Sequence, residues 1–195
     1  MAEDDVRSKG EALIPTEEFQ ARFREEAERL SGFVPKSRGA QFCPMLVALF
    51  AEHGAEGKRK GALIAVPMPE GAAKHEMMFG LGAKMAREGH RVVAALLVAE
   101  AWTKFLSPAE GWRAKTAGMQ RPSEAPDRRE SLVLWGRTLD GRTALGVAPL
   151  ERKGNAVALG KWEFAGEGEV EDNLLAHFFA GHMRVFAEGN REAGK

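Results

Sequence analysis

The sequence predicts an α+β fold, one domain with a mixed, mostly antiparallel sheet covered by about four helices. Three observations carry that prediction. Two β-rich arms, ESLVLWGRTL and RTALGVAPL, flank Asp140-Gly141 and read as a hairpin between Glu130 and Leu150. The run RVVAALLVAEAW, Arg91 to Trp102, is apolar almost throughout, as expected of a central strand buried on both faces. Segments with apolar residues at helical spacing lie before, between and after these strands.

Taken in order, the chain opens on an acidic, polar stretch, residues 1–13, expected to be a tail. Thr16 is the expected N-cap of a first helix, with Glu17 and Glu18 in the positive first turn and Gly32 as the stop. Phe19, Phe23, Ala27 and Leu30 form its apolar stripe. A polar connector, residues 34–41, leads to an expected second helix with Cys43 at the cap, Pro44 at the first helical position and Gly54 after the last turn. Its stripe would be Met45, Leu46, Leu49 and Phe50. A short strand, residues 62–66, is stopped by Pro67 and Pro69.

A third helix is expected over residues 72–88, carrying Met78, Leu81 and Met85 on one stripe. Gly80 and Gly82 inside it each cost about 1 kcal/mol against alanine, which marks them as places where another backbone approaches. With the strand at 91–102, this order suggests a right-handed parallel crossover. In the hairpin, a two-residue turn at Asp140-Gly141 pairs Leu139 with Arg142. That register puts Leu132 and Leu134 on the core face with Leu145 and Val147, and Trp135 opposite Gly146 on the other. A further strand, residues 156–164, carries a bulge at Gly160, and a last helix, residues 173–188, buries Leu174, Leu175, Phe178, Phe179 and Phe186. The domain therefore spans residues 14–188, with a short tail at 189–195.

The totals narrow the function classes. At 195 residues the chain suits a single domain with a sizeable core, and 44% hydrophobic with 29% charged residues is an ordinary globular composition. Lys+Arg and Asp+Glu are both 28, so no global basic field points to nucleic acid. The single cysteine excludes an internal disulfide or a cysteine-rich zinc site. No secretory leader and no apolar run of bilayer length is present, so the expectation is a cytoplasmic protein without a membrane span.

Glu100 is the first chemical candidate, because strand alternation sets it among Val92, Leu96, Val98 and Trp102. Glu130 opens the next strand, and in an antiparallel pair the two carboxylates meet at one end of the sheet. They could divide acid and base roles or bind a divalent cation, with Arg129 stabilising negative charge. The competing reading is a strand-end ion pair of Glu100 with Arg128 or Arg129. His75-Glu76-Met77-Met78-Phe79 has phenylalanine where the zinc-protease motif needs its second histidine. His177 and His182, five apart on a helix, do not share a face and read as core-edge residues. Cys43 reads as a small buried side chain, and no metal site or cofactor is assigned.

Residues 106–129 lack periodicity and carry five Lys/Arg against three acids, so they are either an excursion or a binding loop. Trp102, Trp112, Arg121, Arg128 and Trp135 are the binding candidates on and around it. The segments VAEAW, residues 98–102, and RPSEAPDRRE, residues 121–130, resemble a pattern in small uncharacterised microbial and phage-borne proteins. The resemblance covers roughly residues 62–150 and implies only that these two segments lie together in the fold. The expected function is a binding or assembly protein using the 106–129 loop and the 130–150 hairpin face, with a protein partner or a second copy. The alternative is a divalent-metal-assisted hydrolase built on Glu100 and Glu130.

Overall fold

The computed structural model describes residues 13–34, 42–54, 57–69, 71–103, 128–165 and 173–193. Among them are three helices, α1 (Thr16–Phe33), α2 (Ala73–Arg87) and α3 (Asn173–Ala193). Seven strands accompany them: β1 (Met45–His53), β2 (Arg59–Ala65), β3 (Val92–Thr103), β4 (Arg129–Thr138), β5 (Thr143–Lys153), β6 (Ala156–Leu159) and β7 (Glu163–Ala165). The α+β class stands, with three helices in place of four. The sheet runs β2-β1-β3-β4-β5-β6, with β7 also on β5, and every pairing among the described residues is antiparallel.

The missing helix is β1. Its apolar run, MLVALF, has no polar face, and such a short continuous run suits a strand buried on both sides as well as a helix. Alternation decides the matter: Leu46, Ala48 and Phe50 pack on one side of the sheet, while Met45, Val47, Leu49 and Ala51 pack on the other. Pro44 serves the sheet too, since its carbonyl accepts the Val66 N–H at 2.8 Å. Cys43, expected to be buried, is exposed at the strand entrance. Because β1 pairs antiparallel with both β2 and β3, those two strands point the same way with β1 between them. The expected parallel crossover joins them through α2, but they are not neighbours.

Two apolar layers form on the two faces. Phe19, Phe23, Ala27 and Leu30 of α1 pack on Leu96, Val98, Leu132 and Leu134. On the opposite face, Met78 and Met85 of α2 and Leu175, Phe178 and Phe179 of α3 pack on Leu46, Ala95 and Leu97. Strand β3 therefore serves both cores, and every residue from Val92 to Val98 is 1% exposed or less. The N-terminus of α1 lacks a side-chain cap; the cap position is Pro15 and not Thr16. Thr16 instead accepts a hydrogen bond from Arg142, whose guanidinium also donates to the Ile14 carbonyl and so ties the helix start to the hairpin. Gly32 does not end α1, which continues to Phe33, and α3 runs past residue 188 to Ala193. Glu18, in the first turn of α1, holds the buried Arg59 of β2 through two hydrogen bonds.

The hairpin forms with a register one residue away from the expected one. Thr138 and Arg142 bond across a three-residue loop, and the Gly141 N–H returns to the Thr138 carbonyl at 3.0 Å. Gly141, at φ 94°, takes the left-handed position that follows a type I turn. Asp-Gly serves this loop as well as it serves the two-residue turn. The Asp140 carboxylate is hydrogen-bonded by Thr138 and Arg142; burial pushes its pKa up, but those bonds and the guanidinium charge hold it below the usual carboxylate value. As a result Leu134 faces Gly146 and Trp135 faces Leu145. Slippage exposes neither arm, because both faces of this hairpin meet a core. The expected strand at 156–164 is divided into β6 and β7. Their pairings with β5, Leu150 to Leu159 and Val147 to Glu163, differ by one residue, so a bulge lies next to Gly160 as expected.

Candidate functional site

Strand register builds the site. Trp102 pairs with Glu130 and Glu100 with Leu132, so Glu100, Trp102 and Glu130 share the α1-side face where β3 ends and β4 begins. The expectation that both carboxylates lie at one end of the sheet holds. Their partner is Arg152, near the end of β5. Its Nη2 donates to Glu100 Oε1 at 2.6 Å, and its Nε lies 3.1 Å from both oxygens of Glu130. The Phe42 N–H adds a bond to Glu100 Oε1 at 2.9 Å. Charged hydrogen bonds of this length are stronger than neutral ones, and the three side chains are only 13–28% exposed. Burial works against the charge of Arg152, yet bonding and attraction to Glu100 and Glu130 outweigh it and raise its pKa above the ordinary arginine value. One guanidinium thus clamps two carboxylates.

The other sequence candidates divide around this cluster. Arg129 adjoins Glu130 in the chain, so alternation turns it to the opposite face of the sheet, away from the two carboxylates. It is exposed there, and its carbonyl accepts from the Thr103 hydroxyl. Arg128 does not pair with Glu100 either; its guanidinium stacks over the Trp102 ring at 4.8 Å. Trp102 is 46% exposed. Phe33, equally exposed, closes on Phe42 edge to face at 6.4 Å, and so belongs to the same end. Trp135 is half-buried against the α2–α3 side and offers no free face. Trp112 and Arg121, with residues 106–127 of the expected binding loop, lie outside the described residues.

Arg152 was missed by reading the β5 arm only as far as Leu150. The alternation that places Leu150 inward also places Arg152 on that face, and a cation two residues past an inward leucine is the signal that could have found it. Among the described residues no group of three or more His, Cys, Asp or Glu side chains is placed to hold a metal ion. His75 and His177 come together across α2 and α3, ring centroids 4.8 Å apart, which neither motif foretold. No described helix is long and apolar enough to cross a membrane, which says nothing of β-barrels.

His182 is fully buried rather than at the core edge, its Nε2 facing the Val92 N–H and the His90 carbonyl. Burial lowers its pKa and the His90 carbonyl only partly offsets this. The unfolded chain therefore binds the proton more readily, so the stabilising contribution is present above about pH 6.5 and is lost as pH falls through the folded-state value. Urea unfolding at pH 5 and pH 8 should give lower stability at pH 5, with a smaller difference for His182→Gln. An equal difference in both proteins would assign the acid sensitivity to other groups. Comparison of the chain with protein-family models, with curated proteins and with solved structures finds no match.

Proposed function

We propose that the chain is a binding or assembly protein of the cytoplasm, recognising a protein partner at the end of the sheet where β3 and β4 emerge. One observation carries the reading: an exposed tryptophan, Trp102, with the Arg128 guanidinium stacked on it, beside a carboxylate–arginine cluster whose charges are already paired. Tryptophan and arginine are the residue types that dominate binding energy at protein interfaces. The hairpin face drops out of this surface, because Trp135 packs half-buried against the α2–α3 layer and α1 covers the other side, with Phe19 and Phe23 against Gly136. A photo-crosslinker at position 102 should capture one discrete partner or a second copy in cells, and Arg128→Ala should abolish capture. The same reagent at Lys60 serves as control. Equal or diffuse labelling at both positions would remove the reading.

The hydrolase alternative rests on the convergence of Glu100 and Glu130. Arg152 occupies the position between them that a cation would need, and this favours the binding reading. Mg²⁺, Mn²⁺, Ca²⁺ and Zn²⁺ should therefore leave the melting temperature unchanged. A cation at about 100 times its dissociation constant would stabilise the fold by roughly 2.7 kcal/mol. A shift in wild type, lost in both Glu100→Gln and Glu130→Gln, would place the hydrolase first.

A further inference from the structure

The sheet has two edges of different kinds. On one side β6 and β7 are four and three residues long, and shortness itself limits pairing with another chain. On the other side β2 is seven residues long and, among the described residues, pairs only with β1. Its stretch from Gly61 to Val66, GALIAV, has no charge, no proline and no bulge to protect it. Leu63 is 56% exposed, more than any other large apolar side chain among the described residues.

Hydrogen-bond phase decides which groups this edge offers. The Val66 N–H donates inward to the Pro44 carbonyl, and facing residues of an antiparallel pair alternate between bonded and unbonded. The register is unbroken from Ala65 to Gly61. Ile64 and Ala62 therefore bond to β1 as Val66 does, and Ala65, Leu63 and Gly61 turn their N–H and C=O groups outward. The Arg59 carbonyl fits the same phase, since it accepts from Arg22 of α1 at 3.5 Å. None of the outward groups of Gly61, Leu63 and Ala65 is bonded by another described residue.

We propose that β2 pairs antiparallel with β2 of a second copy about a two-fold axis at Leu63, which joins the two sheets into one. Self-complementarity selects this occupant. A two-fold pairing sets each residue before the centre against the one equally far after it. Leu63 then meets Leu63, Gly61 meets Ala65, Ala62 meets Ile64 and Lys60 meets Val66. Small residues face small ones, apolar face apolar, and no charge faces a like charge. The three outward residues exchange bonds in facing pairs, about six in all. Centring the axis on Gly61 would bring the two Lys58-Arg59-Lys60 runs side by side. Centring it on Ala65 would set Pro67, which has no N–H, against Leu63. The zero net charge of the chain adds no long-range repulsion between copies.

Sedimentation velocity of the full chain, from low micromolar to submillimolar concentration, should show a dimer in equilibrium with monomer. Leu63→Lys sets two ammonium groups face to face at the axis and should weaken the dimer at least tenfold. Its urea midpoint should stay near that of wild type, because the position is already exposed. With Cys43→Ser removing the exposed native thiol, Leu63→Cys should form an intermolecular disulfide on oxidation, since facing Cα atoms lie about 5.5 Å apart. Ala65→Cys should not, since its two copies would lie about 14 Å apart, four residues along the strand. The seam is independent of the surface around Trp102. Lys60 borders it, so a photo-crosslinker there yields a dimer of the chain, and Arg128→Ala should leave that product unchanged. The proposal is overturned if the full chain stays monomeric or if Leu63→Lys dimerises like wild type. It is equally overturned if Ala65→Cys forms the disulfide as readily as Leu63→Cys.

Discussion

Gly181→Ala should destabilise the protein by about 3 kcal/mol, and Gly82→Ala by a similar amount, whereas Gly80→Ala should stabilise it by up to about 1 kcal/mol. The three glycines sit in helices with the same intrinsic preference for alanine, so the difference in sign isolates the packing. A Cβ on Gly181 would lie 2.0 Å from the Phe79 carbonyl oxygen, and one on Gly82 would lie 1.9 Å from that of Phe178. Each helix thus places a glycine against the backbone of the other, and α2 and α3 touch without side chains between them. Restoring normal contact requires the helices to part by more than an ångström. Met78, Phe178 and Phe179 would then be pulled from the layer they form on Leu97 and Ala95. Nothing lies within 4 Å of the Cβ position at Gly80, and there alanine only removes unfolded-state freedom. Urea unfolding midpoints for the three variants check this. Equal shifts for Gly80 and Gly82 would mean that propensity, and not close approach, governs the helix pair.

The glycines also show what the sequence could and could not reveal. Gly80 and Gly82 look alike in the chain, two breaches of helix propensity two residues apart, and both read as close approaches. Only Gly82 faces α3, because a separation of two residues turns a side chain through about 200° on a helix. Strand β3 was legible because seven consecutive buried residues leave no helical alternative with a polar face. β1 was not, since the apolar run Met45 to Ala51, preceded by proline and with Gly54 three residues beyond it, satisfies the signals of a short buried helix and of a strand alike. Its identity is fixed by β2 and β3 on either side, information that is tertiary. The hairpin is an intermediate case. Its existence and its turn residues are local, but the choice between two and three loop residues depends on Gly141 and on Arg142 reaching back to Ile14 and Thr16.

The candidate site divides in the same way. An ionisable residue in an apolar alternation announced Glu100, and the antiparallel pairing of β3 with β4 brought Glu130 beside it. The cation that holds them comes from a third strand, and the nearest cations in sequence, Arg128 and Arg129, were drawn off by geometry, one onto Trp102 and one to the other face. Sequence proximity is a poor guide to pairing at strand ends, because neighbours along a strand point oppositely. His182 was undervalued for another reason. Five residues from His177 it makes no metal pair, but its burial against β3 is set by the close α2–α3 contact and not by spacing along α3.

Arg152→Met should cost about 2–4 kcal/mol, below the upper end for a broken buried ion pair because the cluster is partly exposed. The loss comes less from the bonds removed than from what remains: Glu100 and Glu130 left on one face of the sheet without their common cation, Glu100 keeping only the Phe42 N–H. Two consequences separate this account from simple loss of packing. Adding Glu130→Gln to Arg152→Met removes one of the stranded charges, so the double variant should be more stable than Arg152→Met alone although it departs further from wild type. The loss in Arg152→Met should also shrink at acidic pH, where an unpaired carboxylate takes up a proton and ceases to repel its neighbour. Urea unfolding of the two variants and wild type at pH 4.5 and pH 7.5 measures both effects. A double variant that is less stable than Arg152→Met would show that Arg152 acts through packing of its aliphatic stem, and not as the clamp on two carboxylates. If instead the double variant recovers stability, the cluster is a structural lock that fixes the ends of β3, β4 and β5, and the surface carrying Trp102 and Arg128 stands on a rigid base.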